Sequence, residues 1–480
     1  MQLSYSWTNT KGDSSMNYDE KIILKEVQLP YTFNDVEPVY LTEATMEQRA
    51  KKVLDLMKED NFDSLVIYAD KEHGSNFEYL IGFIPRFEEG LFVLKKTGQA
   101  SFILGNENLK MSKYARLQGE LYHYPLFSLP NQPMENEKSL DSILCDIDFS
   151  NDKKIGLIGW KMFTSTQYDN SAIFDIPHFI VEAVRNICTI EAEIVNAAYL
   201  FIGGGKGART INNANEIAHY EYGANLSSTS MLKAMNAVEI GVKESYLGNL
   251  LNAEGQTNNV VTIAATGVRF EKANLYPTSK QLKLGDTLSL TTGYKGGLSS
   301  RAGFVVESAE QLPDNQRDYL EKVAIPYFKT VVFWLENIRI GMYGGEFYKM
   351  IEEVYPKEKY HWHLNPGHLV ADEEWMSSPI YPSSKETLKS GMVFQIDIIP
   401  SITGYGGVSA EECIALADEE LRNQINNEYP HLWGRIEKRR YYIQHELGIN
   451  LPEHVIPLSN LVAYLRPFFL NKSATLTCVK

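Results

Sequence analysis

Tyr381-Pro-Ser-Ser-Lys-Glu-Thr-Leu388-Lys-Ser-Gly391-Met-Val-Phe-Gln-Ile-Asp397 echoes a stretch about a hundred residues earlier, Tyr276-Pro-Thr-Ser-Lys-Gln-Leu282-Lys-Leu-Gly285-Asp-Thr-Leu-Ser-Leu-Thr291. Six positions past the glycine of each copy stand Asp397 and Thr291. The echo extends upstream. Val238-Glu-Ile240-Gly241-Val and Ile338-Arg-Ile340-Gly341-Met are offset by 100, as are Gly267 and Gly367. Several matches in one order at nearly one offset predict a twofold duplication inside a domain. The period is too long for a solenoid or a propeller blade. Two similar halves facing each other place a site between them, so differences between the copies bear on the chemistry.

Outward from that repeat, the chain is long enough, at 480 residues, for about two domains with their own cores. Hydrophobic content of 44% and charged content of 22% are ordinary for a globular protein. A formal charge of −15 argues against nucleic acid and anionic membrane as partners, because both require a basic face. Cys145, Cys188, Cys413 and Cys478 are scattered without metal-ligand spacing, which suits buried thiols in a reducing compartment. The start of the chain lacks the basic and apolar regions of a signal peptide, and no apolar run has membrane-spanning length. The expectation is a soluble, cytoplasmic protein.

Residues 1–44 read as a polar extension laid over the surface or partly disordered. Residues 45–187 alternate helices and short apolar strands, at Ser64–Asp70, Leu91–Lys96, Ala100–Asn106 and Lys154–Gly159, which predicts an α/β domain. Its first helix is expected to open on a capping box of Thr45 and Gln48 and to bury Met46, Ala50, Val53, Leu54 and Met57. Residues 188–480 carry long helical stretches, about 208–236 and 313–338. Strands are expected there at Val260–Gly267, Leu288–Tyr294, Ala302–Val306, Met392–Ile398 and Val408–Leu416. Helices grouped against an antiparallel, duplicated sheet define an α+β domain. Thr292–Gly297 is a tight hairpin by its glycines, and Leu451–Phe469 is expected as loop packing back over the domain. The run Gly203-Gly-Gly205-Lys206-Gly fails the spacing of a phosphate loop.

Chemistry concentrates in the duplicated domain. His368 follows Asn365-Pro366-Gly367, Asp397 ends Phe394-Gln-Ile-Asp, and Glu411 lies in Gly406-Gly407-Val-Ser-Ala-Glu411-Glu412. One imidazole and two carboxylates suit a divalent cation or general acid–base work. Asp397 interrupts an apolar run, where an unpaired buried carboxylate is costly.

With these residues in place the chain resembles the pita-bread hydrolases: prolidase, aminopeptidase P, methionine aminopeptidase and creatinase. The likeness covers roughly residues 45–475 and rests on Asn76-Phe-Glu-Tyr79-Leu80-Ile-Gly82-Phe, Leu284-Gly285-Asp286, Leu388-Lys-Ser-Gly391-Met392-Val393-Phe394 and Gly406-Gly407-Val408. It implies a pita-bread domain with an internal pseudo-twofold duplication, after a creatinase/prolidase-like amino-terminal domain. The family's metallopeptidases hold two divalent ions with two aspartates, one histidine and two glutamates. Carried over, the histidine matches His368, the first glutamate falls on Asp397 and the second matches Glu411. The aspartates fall on the neutral Thr291 and Ser300, with the hairpin between them about two residues short. The family's proton-handling histidine falls on Asn274, and a second histidine, seven positions after the ligand, falls on Trp375.

Charge then decides against a dinuclear centre. Asp397 and Glu411 supply −2, so a second divalent ion would leave +2 uncompensated in a partly dry pocket. Asp397 also draws its oxygen back by about 1.5 Å relative to a glutamate. At most one ion, of the Mn, Zn or Co type, is expected at His368, Asp397 and Glu411. Three functions remain open. One is a metal-free, creatinase-like hydrolase of a C–N bond in a small amino-acid-, peptide- or amidine-like compound. There His368 and Glu411 act catalytically, and Asn274, Thr291, Ser300, Trp375 and Asp397 bind substrate. The second is a mononuclear metallohydrolase. The third is an inactive module that binds a peptide or partner protein. The resemblance also implies a homodimer. Arg301, adjacent to Ser300 on its strand, is expected to face away from the pocket, and His361 and His363 to alternate on a strand with Trp362.

Overall fold

The computed structural model describes residues 22–268 and 276–479. Its first large element is a six-stranded mixed sheet. Its order is Glu120–His123, Ala100–Leu104, Gly90–Lys95, Ser64–Ala69, Lys154–Ile158 and Glu193–Asn196. Every residue of Ser64–Ala69 is buried, because alternate side chains enter two different cores. Leu65, Ile67 and Ala69 join the main core, and Val66 and Tyr68 a second one. The helix Glu43–Glu59 covers the first face through Val53 and Met57. Its cap is Thr42, whose hydroxyl accepts from the Thr45 amide at 3.2 Å. The expected Thr45–Gln48 box does not form; Thr45 is buried inside the helix, and Gln48 accepts a 2.8 Å bond from Asn213.

The duplication is visible as repeated hydrogen bonding. Gly241 donates to Leu282 O and Gly341 to Leu388 O, each at 2.8 Å. Leu282 returns a bond to Val242 O at 2.8 Å and Leu388 to Met342 O at 2.9 Å. Gly241, Gly341, Gly285 and Gly391 all have φ between 83° and 93°, a region that side-chain-bearing residues rarely enter. The repeated glycines in the sequence are therefore the turns that return each strand beneath its helix pair.

Each half carries a four-stranded antiparallel sheet. The first runs Ser409–Glu411, Gly297–Phe304, Thr287–Tyr294, Ile263–Thr266. The second runs His368–Leu369, Val393–Gln395, Cys413–Leu416, Val455–Pro457. The stretch expected as one strand, Val408–Leu416, is split at Glu412, so a single segment serves both sheets. The Gln395 side chain strengthens this seam by donating to Leu298 O of the other sheet. The hairpin strand expected at Ala302–Val306 begins earlier, at Gly297, after a two-residue turn through Gly296 at φ 106°. Gly223 lets the helix Ala214–Asn236 approach that turn, since a Cβ there would lie 1.8 Å from Lys295 O.

Other expectations needed correction. The helix expected over 313–338 is regular only from Ile325 to Asn337 and is entered by a π-helical turn at Leu320–Ala324. Pro326, which has no amide hydrogen to donate, stands at that junction. His361 closes the short helix Lys357–Tyr360 in a left-handed conformation, φ 50°, so His361 and His363 do not lie on a strand. Leu461–Leu465 is core rather than overlay, with every residue buried. Of the extension, Ile22–Glu26 pairs antiparallel with Ala474–Cys478. The segment that follows is held to the helix Ala214–Asn236 by bonds from Asn225 to Phe33 O, His219 to Val39 O and Asn215 to Tyr40 O.

Candidate functional site

His368 opens the edge strand of the second sheet directly after Gly367, which takes φ 134°. The indole of Trp334 donates to Pro366 O at 2.6 Å and fixes the approach. The imidazole Nδ1 lies 3.2 Å from Leu369 O; facing a carbonyl, it carries the proton of the neutral ring, in which Nε2 then holds the lone pair. Trp375 stacks on the ring at 4.1 Å between centroids and 20° between planes. Trp375 is thus the half-buried wall of the site rather than a core tryptophan.

Asp397 lies two residues beyond the strand Val393–Gln395, not within it, and Ile396 bonds back to Glu412 O at 3.0 Å. Glu411 ends its strand opposite Ser300, and Ser300 stands opposite Thr291. Directly opposed residues share a face, so Thr291, Ser300 and Glu411 form a row. The Thr291 and Ser300 hydroxyls satisfy each other at 3.0 Å. The structure brings His368, Asp397 and Glu411 together: one donor atom from each lies within 4.8 Å of the others. Nε2 is 3.8 Å from Asp397 Oδ2 and 4.0 Å from Glu411 Oε1. Asn274 lies outside the described residues.

Arg301 points to the opposite face, as strand alternation requires. Its guanidinium pairs with the fully buried Glu412 at 2.9 Å and donates to the carbonyls of Ser300, Glu411, Leu461 and Tyr464. The pair lies directly behind the row and fixes the backbone that carries Glu411.

Sequence reasoning misses one neighbour of the triad. Glu374 Oε1 is 3.4 Å from His368 Nε2. It lies in Asp372-Glu373-Glu374, an acidic run that reads as solvated surface. Its companions are instead pinned. Arg209 reaches both Asp372 and Glu373, and Tyr220 donates to Asp372 at 3.2 Å. Lys295, itself paired with Glu78, stands 3.8 Å from Asp372. Burial works against the Asp372 charge, but Lys295, Arg209, Arg49 and His219 outweigh it and hold its pKa at about 2. Asp372 and Glu373 also line a cleft of about 1090 Å³ between the six-stranded sheet domain and the duplicated one; the triad is not among its lining residues.

His368 Nε2 and Asp397 Oδ1 are buried without hydrogen-bond partners among the described residues. Burial pushes Asp397 up to about 6, with His368 pulling it down and Glu374 adding to the rise. Burial, then Asp397, Glu374 and Glu412, hold Glu411 well above the usual carboxylate range. Burial disfavours charge on His368, but Glu374, Asp397 and Leu369 O outweigh it and raise its pKa. All three groups have folded pKa values above their unfolded ones. Their contribution to stability is present at low pH and is lost as pH rises through the folded values. Chelator-treated protein should therefore melt several degrees lower at pH 8 than at pH 5, with Asp397→Asn flattening the profile. Equal pH profiles for the unaltered protein and Asp397→Asn would contradict these shifts; scanning fluorimetry reads them.

The donor set fits a divalent ion. Nε2 presents a lone pair, two buried carboxylates balance +2, and each orphaned atom would gain a partner.

Comparison with known proteins agrees with the architecture. Residues 218–418 match the model of metallopeptidase family M24. The chain is similar to the Xaa-Pro dipeptidase from Bacillus anthracis: 17% identity, TM-score 0.58, covering 78% of this chain and 96% of that one. It is also similar to the prolidase from Pyrococcus furiosus: 18% identity, TM-score 0.55, covering 76% and 96%. A third likeness is to dipeptidase PepE from Mycobacterium ulcerans: 12% identity, TM-score 0.60, covering 78% and 94%. No curated protein matches the chain. Among the described residues no helix is long and apolar enough to cross a membrane.

Proposed function

We propose, from the chain's membership of the pita-bread hydrolase family, that it is a mononuclear metallohydrolase cleaving a C–N bond in a small amino-acid- or peptide-like substrate. On this reading residues 1–44 are an extension, 45–187 a creatinase/prolidase-like domain and 188–480 the pita-bread domain, and the chain works as a homodimer. The observation that carries the reading is the compact set of His368, Asp397 and Glu411, with its buried Nε2 and Oδ1 unpartnered.

His368 Nε2, an Asp397 oxygen and a Glu411 oxygen would hold one ion. Bound there, a divalent cation supplies Lewis-acid polarisation of a substrate carbonyl and of water. The chain's own groups do the rest. The Nδ1–H bond to Leu369 O and the Trp375 stack keep the imidazole in one tautomer and orientation. Holding the ion, Glu411 is an ionised carboxylate whose charge, with that of Asp397, balances the cation. The Thr291 and Ser300 hydroxyls, which satisfy each other, can turn to bond a substrate oxygen or nitrogen in the same row. Trp375 walls the pocket and limits water.

The test is metal analysis of protein purified without chelators, with hydrolysis of an Xaa-Pro dipeptide panel followed during Mn²⁺ or Co²⁺ titration. One ion per chain and metal-dependent cleavage support the reading. Two ions per chain contradict the charge argument. Metal-free protein that is stabilised by a guanidino or amino-acid ligand favours the creatinase-like alternative. Metal-free protein stabilised by no small molecule leaves the binding module.

A further inference from the structure

We propose that Glu374 is a third carboxylate of the ion site, brought in by a loop to supply a carboxylate oxygen donor that Thr291 and Ser300 do not. The inference rests on the reading of an ion at His368, Asp397 and Glu411.

The geometry is permissive. Two donors sharing an ion at bonds of about 2.1 Å lie at most about 4.2 Å apart. Measured from Nε2, Glu374 Oε1 at 3.4 Å, Asp397 Oδ2 at 3.8 Å and Glu411 Oε1 at 4.0 Å all satisfy that limit. Asp397 and Glu411 form the compact set with the imidazole. Glu374 reaches the ring alone, so its carboxylate must swing to join them. Its side chain is 24% exposed, and among the described residues His368 is its sole ionic partner, so little opposes that movement.

The surrounding chain explains why this acid stands here. Asp372 and Glu373 are held by Arg209, Tyr220 and Lys295, and Trp375 is stacked on His368. Glu374 is thus fixed in backbone on both sides while its side chain stays adjustable. The buried, unpartnered Nε2, with Nδ1 carrying the ring proton, directs a lone pair toward three carboxylates. Carboxylates crowded on one imidazole repel one another, and a cation among them adds an attraction to each that outweighs that repulsion. An imidazole with three carboxylates is an oxygen-rich donor set, which suits Mn²⁺.

Mn²⁺ binding to the full chain after chelator treatment, measured by titration calorimetry, tests the assignment together with the visible spectrum of the Co²⁺ form. Glu374→Gln should bind Mn²⁺ with unchanged stoichiometry, at least about tenfold more weakly, and with altered Co²⁺ bands. Affinity and spectrum equal to the unaltered protein would overturn the role of Glu374 and leave the triad standing. Failure of the unaltered protein to bind either ion would overturn both. Circular dichroism of the metal-free proteins controls for folding; if Glu374→Gln does not fold, Glu374→Ser carries the same expectation and the same refutation.

Discussion

Arg301→Ala is expected to destabilise the protein by about 3–5 kcal/mol, the cost typical of breaking a buried ion pair from one side. The substitution strands the Glu412 carboxylate, which is fully buried, with Ser299 as a remaining donor at 2.9 Å. It also removes donors from the carbonyls of Ser300, Glu411, Leu461 and Tyr464. A domain's total stability is only about 5–15 kcal/mol, so the melting temperature should fall by on the order of 10 °C. Removing both charges together, as Arg301→Met with Glu412→Gln, should recover much of the loss, because no isolated charge then stays buried. A double variant as unstable as Arg301→Ala would show that packing around the guanidinium, not charge, dominates. Calorimetry of the three proteins decides it.

His368→Ala should abolish ion-dependent stabilisation and reduce any metal-dependent hydrolysis by at least about 100-fold, the upper end of what changes to supporting residues alone cost. The imidazole is the sole nitrogen donor of the compact set, and the remaining carboxylates are ones that burial already pushes toward protonation. Stabilisation by a bound ion follows its concentration relative to Kd, so the Mn²⁺-induced rise in melting temperature should vanish. Retention of that rise would place the ion elsewhere. Because Trp375 stacks on the ring it loses, its emission should also change.

How far the sequence was legible follows from how local each signal is. The duplication was readable because Gly241, Gly285, Gly341 and Gly391 are dictated by positive φ, a requirement of the backbone at that position alone. Asp397 stood out because an acid in an apolar run is conspicuous without knowledge of its partners; His368 and Glu411 stood beside glycine-rich turns, and the family resemblance gave all three their place as ligands. Alternation along a strand sufficed to send Arg301 to the far face, but not to find Glu412, since their pairing spans more than a hundred residues. Glu374 was hidden for the opposite reason. Its run of acids looks like ordinary surface until Arg209 and Lys295, distant in sequence, claim its two neighbours. The cap at Thr42 was missed because Thr45 with Gln48 satisfies the same local pattern three residues on. The break in Val408–Leu416 could not be read locally, because it comes from one segment serving two sheets.

The pairing of Ile22–Glu26 with Ala474–Cys478 also has a mechanical consequence. Ile22 faces Cys478 and Glu26 faces Ala474, so both strands present their outer ends at the same edge of the ladder. A pulling force applied at those two ends loads the cross-strand bonds one after another rather than together. The clasp should therefore peel open at low force, and the strap that Asn225, His219 and Asn215 hold is the next part of the chain to take the load.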